Sequence, residues 1–198
     1  MKVSRERAAE NRERVLDVAS RLFREKGIDG IGVANLMKEA GLTHGGFYGS
    51  FASKAALAAE ACERAGEQSV RRWRRIIDGA RERGEDPYVA LVKAYLCVAH
   101  RDNPGRGCMF TTLAAEAPRQ EPELREALNA NLHGLLELLV EVAPGADTAA
   151  REARAQITLS TMVGALMLAR TMPDAAQSEN LLATARASLI AEHGGEVR

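Results

Sequence analysis

Apolar residues three and four positions apart recur along almost all of this 198-residue chain, and no stretch alternates apolar and polar residues between turn residues. The first spacing lines up one face of an α-helix, whereas alternation is what a half-buried strand requires. The chain is therefore expected to fold as packed helices with no sheet. Val15, Ala19, Leu22 and Phe23 mark a helix from about Arg5 to Lys26, closed by Gly27 as a left-handed C-cap. Val33, Leu36, Met37 and Ala40 mark a helix of about two turns that ends at Gly41. Thr43 is then the expected N-cap of a short third helix carrying Phe47, Tyr48 and Phe51, and Ser53 the cap of a long helix reaching about Ile77. Five more helices are expected at about 87–100, 108–116, 121–142, 147–172 and 177–192, separated by proline and glycine breaks, for about nine in all.

Composition narrows the function classes. A hydrophobic content of 46% is enough for a real core, and 27% charged residues fall short of the signature of disorder. The chain opens Met1-Lys2-Val3-Ser4-Arg5-Glu6-Arg7 with no apolar stretch behind its charges, so no secretory signal is expected and the cytoplasm is the default. The longest apolar run, Ile157 to Ala169, is too short to cross a bilayer, so no membrane partner is expected. Cys62, Cys97 and Cys108 form neither an even set nor a CxxC pair, which argues against a disulfide framework and a zinc site. His44, His100, His133 and His193 show no metal-ligand spacing, and no phosphate loop, HExxH or GxSxG motif is present. No enzyme, metal or cofactor is expected. The net charge is zero, yet residues 1–54 carry 10 Lys and Arg against 7 Asp and Glu, while residues 55–198 carry 17 against 20. Only the N-terminal part has the positive excess that suits phosphates.

That part also contains a short helix, a glycine at the corner and a second short element, over Val33-Ala34-Asn35-Leu36-Met37-Lys38-Glu39-Ala40-Gly41-Leu42-Thr43-His44-Gly45-Gly46-Phe47-Tyr48. These are helix-turn-helix proportions: Ala40 is small where two helices cross, Gly41 tolerates a positive φ, and Leu42 and Phe47 pack beneath. Together with Gly27-Ile28-Asp29-Gly30-Ile31 before it and Phe51-Ala52-Ser53-Lys54-Ala55-Ala56-Leu57 after it, this stretch resembles the DNA-binding domain of the tetracycline-repressor (TetR) family over roughly residues 10–60.

The resemblance implies that the element from Thr43 to Ser50 enters the major groove of double-stranded operator DNA while the helix from Val33 braces it. Thr43 and His44 would reach phosphates or base edges, and Gly45 and Gly46, lacking side chains, would allow close approach to the groove floor. By family position Tyr48 would contact a phosphate, and Lys54 would do so through its charge and the helix dipole. Arg5, Arg7 and Arg12 are candidates for further contacts from the N-terminal arm. Gly49 and Ser50 depart from the basic or polar residue and the histidine common in relatives. Asn35 and Lys38 read as a solvated helix face. Arg71, Arg72, Arg74 and Arg75 read either as a nucleic-acid stripe or as residues pointing in different directions from one helix, with Trp73 anchored against another helix.

The implied organisation is all-α: a three-helix DNA-binding domain, residues 1–54, fused through the long helix to a helical effector-binding and dimerisation domain, residues 55–198. Leu124, Leu128, Leu132, Leu135, Leu136, Leu139 and Val142 give one helix of the larger domain a broad apolar face, so it is expected at the centre. Ile157, Thr161, Gly164 and Leu168 form a stripe on the penultimate helix, and Leu182, Ala185 and Leu189 another on the last. The resemblance implies a homodimer built on those two helices, matching a palindromic operator.

For the pocket of an unknown small-molecule effector, the candidates are Trp73, Tyr95, Cys97, Cys108, Met109, Phe110 and Leu113, as bulky or polarizable residues that an ordinary core would also use. Cys108 reads in two ways: a packed inert thiol, or a reactive one whose pKa is lowered by Arg106 and a helix start. The chain thus reads as a ligand-responsive transcriptional repressor. The alternatives are an activator of the same fold and a thiol-based sensor of electrophiles or oxidants acting through Cys108.

Overall fold

The computed structural model describes residues 5–194; residues 1–4, on which the secretion reading rests, and the side chain of His193 lie outside the described residues. The described residues form nine α-helices and no strand: α1 (Arg5–Lys26), α2 (Val33–Glu39), α3 (Lys54–Glu82), α4 (Pro87–Tyr95), α5 (Val98–Arg101), α6 (Phe110–Leu113), α7 (Pro122–Val142), α8 (Thr148–Thr171) and α9 (Ala175–Gly194). No helix among the described residues is long and apolar enough to cross a membrane.

The helix ends follow local chemistry. Gly27 closes α1 with φ +73° and bonds back to the Phe23 carbonyl at 3.0 Å. Gly41 turns the chain after α2 with φ +69°, a left-handed conformation that costs a residue with a Cβ about 1 kcal/mol or more. The side chains of Ser53, Asp86 and Asp147 cap α3, α4 and α8 by accepting the N–H groups of Ala56, Val89 and Ala150.

Three expected helices differ. The third is not an α-helix: the chain makes one 3-10 turn, His44–Gly46, and then further turns to Ser50, and Thr43 makes no side-chain cap bond. Two adjacent glycines and a third at Gly49 leave little to favour a continued helix. The helix expected at 87–100 breaks after Tyr95, where Leu96 and Cys97 leave helical geometry. The helix expected at 108–116 contracts to Phe110–Leu113, followed by a 3-10 turn at Ala117–Arg119. In the other direction α3 runs past Ile77 to Glu82.

Two apolar clusters form the core. The first joins α1, α2 and Phe47 and Phe51 to Leu57–Ala65 of α3, and also takes in Met109, Leu113, Leu124 and Leu128. The second, around Trp73, Tyr88, Leu91, Leu139 and Leu159, joins α3, α4, α7, α8 and α9. The long α3 runs through both, with α7 packed along it. Along this contact Asn131 of α7 donates to the Cys62 carbonyl at 2.9 Å beside Gly66, where any side chain would collide with Asn131.

Candidate functional site

The loop between α2 and α3 turns one small surface outward. Thr43, His44, Gly45, Gly46, Tyr48 and Gly49 are all exposed, while Phe47 and Phe51 at its back are buried. Tyr48 is 68% exposed, unusual for so large a ring. It is held in place from both sides: Phe47 meets it edge-on at 5.2 Å and His44 at 5.9 Å between ring centroids. Gly45 is the informative residue. Its φ is not positive, and a Cβ built there would meet no atom within 4 Å. The fold does not require glycine at this position, so its bareness matters only toward something outside the chain.

Around this surface, Val33 begins α2 and is half-buried against the first cluster, Lys54 begins α3 behind the Ser53 cap, and Arg5 is exposed in the first turn of α1. Arg12 corrects the reading of an N-terminal arm. It pairs with Glu60 of α3 and stacks 4.9 Å over the Phe51 ring, so it fastens α1 to α3. Arg64 does the same from α3, reaching Glu13 and Asp17.

A half-open cavity of about 390 Å³ lies between α3, α4 and the segment 97–106. Trp73, Tyr95 and Cys97 of the expected effector residues line it, together with Arg72, His100 and Arg106. The other four lie elsewhere. Met109 and Leu113 are buried in the first apolar cluster, Phe110 faces a separate groove between α7 and α8, and Cys108 is buried behind the cavity wall. Burial raises the Cys108 thiol pKa instead of lowering it, and the four-residue α6 starts beyond it, so the electrostatic ground for a reactive Cys108 is reversed. The Tyr95 hydroxyl is sealed from solvent, has that thiol as its polar neighbour, and makes no bond of hydrogen-bonding geometry; burial raises its pKa well above the ordinary value.

The arginines of α3 point apart. Arg71 pairs with Glu67 and Arg74 with Glu141, both on the surface, whereas Arg72 turns into the cavity. Sequence reasoning missed Arg72 and His100. For Arg72 the available signal was the i, i+4 relation to Ile76, which puts both on the cavity face. His100 Nδ1 bonds the Tyr95 carbonyl at 2.8 Å and its Nε2 accepts the Cys108 N–H at 3.0 Å, which fixes one neutral tautomer. Burial first, and then the Arg170 and Arg72 charges, push its pKa down to about 4.

The cavity wall continues to α1. Gly107, next to Arg106, offers its carbonyl to Arg24 of α1 at 3.4 Å. Arg24 is itself buried and also bonds Ser20 and Gln68; burial and then the Arg72 charge pull its pKa down to about 10. Thr112 donates to the Arg24 carbonyl at 2.8 Å, and Glu116 accepts the Ile28 N–H at 3.0 Å.

On the opposite side, α8 and α9 carry an open apolar groove. Thr161, Gly164, Leu168 and Ala185 line it, and Ile157 and Leu168 are 56% and 55% exposed. Leu182 and Leu189, expected on the same face, are buried in the subunit's own second cluster.

Comparisons with known proteins agree with this architecture. The profile of "Bacterial regulatory proteins, tetR family" matches residues 15–61, and that of "Tetracyclin repressor-like, C-terminal domain" matches residues 88–187. Over 130 residues the chain is 25% identical to the HTH-type transcriptional repressor NemR of Escherichia coli (strain K12), covering 66% of this chain and 65% of that protein. The alignment thus spans slightly under two thirds of that relative. A TetR transcriptional regulator from Chloroflexus aurantiacus J-10-FL superposes with a TM-score of 0.78 at 27% identity, over 98% of each chain. The reduced form of E. coli NemR superposes with a TM-score of 0.75 at 22% identity, over 92% of this chain and 97% of that one.

Proposed function

As this chain belongs to the TetR family of bacterial regulatory proteins and is a transcriptional regulator, we propose that it acts as a repressor: a homodimer that holds a palindromic operator and releases it when a small molecule enters the effector domain. The observation that carries the reading is the outward surface of Thr43, His44, Gly45, Gly46 and Tyr48, in which the fold has no use for the bareness of Gly45 or the exposure of Tyr48. In this proposal Thr43 and His44 reach base edges or phosphates, Gly45 and Gly46 admit the groove, and Tyr48, Lys54 and Arg5 hold phosphates. Residues 1–54 form the DNA-reading unit and residues 55–198 the effector and dimer unit, with α3 as the lever between them.

Ile157, Thr161, Gly164, Leu168 and Ala185 meet their counterparts across a twofold axis, burying the apolar surface of α8 and α9. The bonds from the segment 107–116 to Arg24 and Ile28 supply the route: an effector that favours a shifted position of this segment shifts α1 with it, and so the spacing of the two DNA-reading surfaces. That the E. coli relative is a repressor supports the sign of regulation. The test is binding to the DNA flanking the chain's own gene, together with a reporter in a deletion strain. A repressor gives a shifted band and raised expression on deletion. Lowered expression means an activator, and no binding to any flanking DNA refutes the proposal.

A further inference from the structure

The cavity between α3, α4 and the segment 97–106 has a chemistry that selects its occupant. Its lining includes two guanidinium groups, Arg72 and Arg106, and no carboxylate. Neither makes an ion pair among the described residues, although Arg71, Arg74 and Arg81 on the same helix as Arg72 all do. Burial first, then the Arg75 charge and then that of exposed Arg106, lower the pKa of half-buried Arg72, and an anion seated between Arg72 and Arg106 offsets that repulsion. Buried Arg24 and half-buried Arg170 add further positive charge behind the wall. The remaining surface is apolar and aromatic: Trp73 and Tyr95 meet edge-to-face at 6.0 Å, with Ile76 and Leu91 beside them.

We propose that this cavity binds a small aromatic carboxylate, its carboxylate held between Arg72 and Arg106 and its ring set against Trp73 and Tyr95. A planar guanidinium matches a carboxylate with two parallel hydrogen bonds, and an aromatic body exchanges water for the apolar wall. The volume of about 390 Å³ is that of a ligand of one or two rings. Because Arg106 adjoins Gly107, whose carbonyl takes the Arg24 guanidinium, drawing Arg106 inward acts on α1 directly. The proposal rests on the effector-responsive reading above and names the effector's class.

Trp73 is the sole tryptophan of the chain, so its emission reports occupancy of this cavity in the full-length protein. Benzoate and 2-naphthoate are titrated against benzamide, 2-naphthamide and inorganic phosphate, with wild type and with Arg72→Gln, Arg106→Gln and Arg72→Lys. We expect saturable change with the carboxylates only, and affinity lowered about tenfold or more by either glutamine, the scale of one charged hydrogen bond. Arg72→Lys retains part of that affinity. Amides that bind as well as the acids, phosphate that binds as well, affinity unchanged in the glutamine variants, or no response to either acid each overturn the proposal. Operator binding is measured on the same samples without ligand. If it is intact while the carboxylates fail, the ligand class is wrong and the regulator reading stands; if no DNA is bound, the regulator reading itself fails.

Discussion

The Glu116 carboxylate accepts the backbone N–H of Ile28 at 3.0 Å. The bond joins the segment after α6 to the loop after α1, and Gly27 beside it has φ +73°, a left-handed conformation that favours glycine, with the end of the Glu116 side chain lying where a Cβ would stand. Glu116→Ala leaves the part-buried Ile28 N–H without its acceptor, at a cost of about 1–3 kcal/mol. Urea denaturation should show that loss, and ligand-induced release of DNA should weaken with it. Unchanged stability and an unchanged ligand response would mean that this bond couples nothing.

Gly41 and Gly45 lie four residues apart and should respond to alanine in opposite ways. At Gly41 the positive φ makes alanine strained, so Gly41→Ala should lower stability by about 1 kcal/mol or more. At Gly45 a Cβ meets nothing in the protein, so Gly45→Ala should leave the denaturation midpoint unchanged. Operator affinity of Gly45→Ala should nevertheless fall, by about 1–3 kcal/mol if the added methyl holds the surface off the groove. Full affinity in Gly45→Ala would show that this surface does not approach DNA closely.

His100 gives the fold an acid-sensitive component. Burial, with the Arg170 and Arg72 charges, lowers its pKa to about 4 from an unfolded value of 6.5, against the opposing bond to the Tyr95 carbonyl. Between those values the unfolded chain binds more protons than the folded one, so the contribution is complete above pH 6.5 and is lost as pH falls toward 4. The full effect is about 3 kcal/mol. Stability measured from pH 7 to pH 5 should decline in the wild type, and His100→Gln should remove most of that slope. The same slope in the variant would place the titrating group elsewhere.

The exposed side chains of α8 should matter to assembly without mattering to the fold of one subunit. Leu168→Glu puts a charge on a position that is 55% exposed in the single chain. Sedimentation should show a folded monomer with far weaker operator binding. A dimer unaffected by Leu168→Glu would exclude this face as the interface.

Much of the fold was legible because its signals are local. The stripe Val15, Ala19, Leu22 and Phe23 gave α1, the Ser53 hydroxyl and the φ values of Gly27 and Gly41 followed from residue type, and the α7 leucines follow the core face. The 3-10 turn at His44–Gly46 was not legible, since three glycines in six residues weaken helix propensity while the Phe47 and Phe51 spacing imitates a helix. In α9 the spacing of Leu182, Ala185 and Leu189 correctly marked one apolar face, yet spacing alone does not tell a subunit core from an interface. The cavity was the least readable feature. Trp73, Tyr95 and Cys97 reach it, but Arg72, His100 and Arg106 come together only through the break after Tyr95, and burial raises the Cys108 pKa where Arg106 and a helix start suggested a lowering.

On the proposed function, the surface from Thr43 to Tyr48 holds double-stranded DNA as one half of a symmetric pair. The most direct measurement is a hydroxyl-radical footprint of the full-length protein on DNA flanking its own gene, repeated with Tyr48→Ala. Two protected half-sites are expected, related by a dyad and separated by about 34–36 Å or a multiple of it, with loss of both in Tyr48→Ala while the variant is still folded. Protection without a dyad, or a footprint that survives Tyr48→Ala at full affinity, would contradict it.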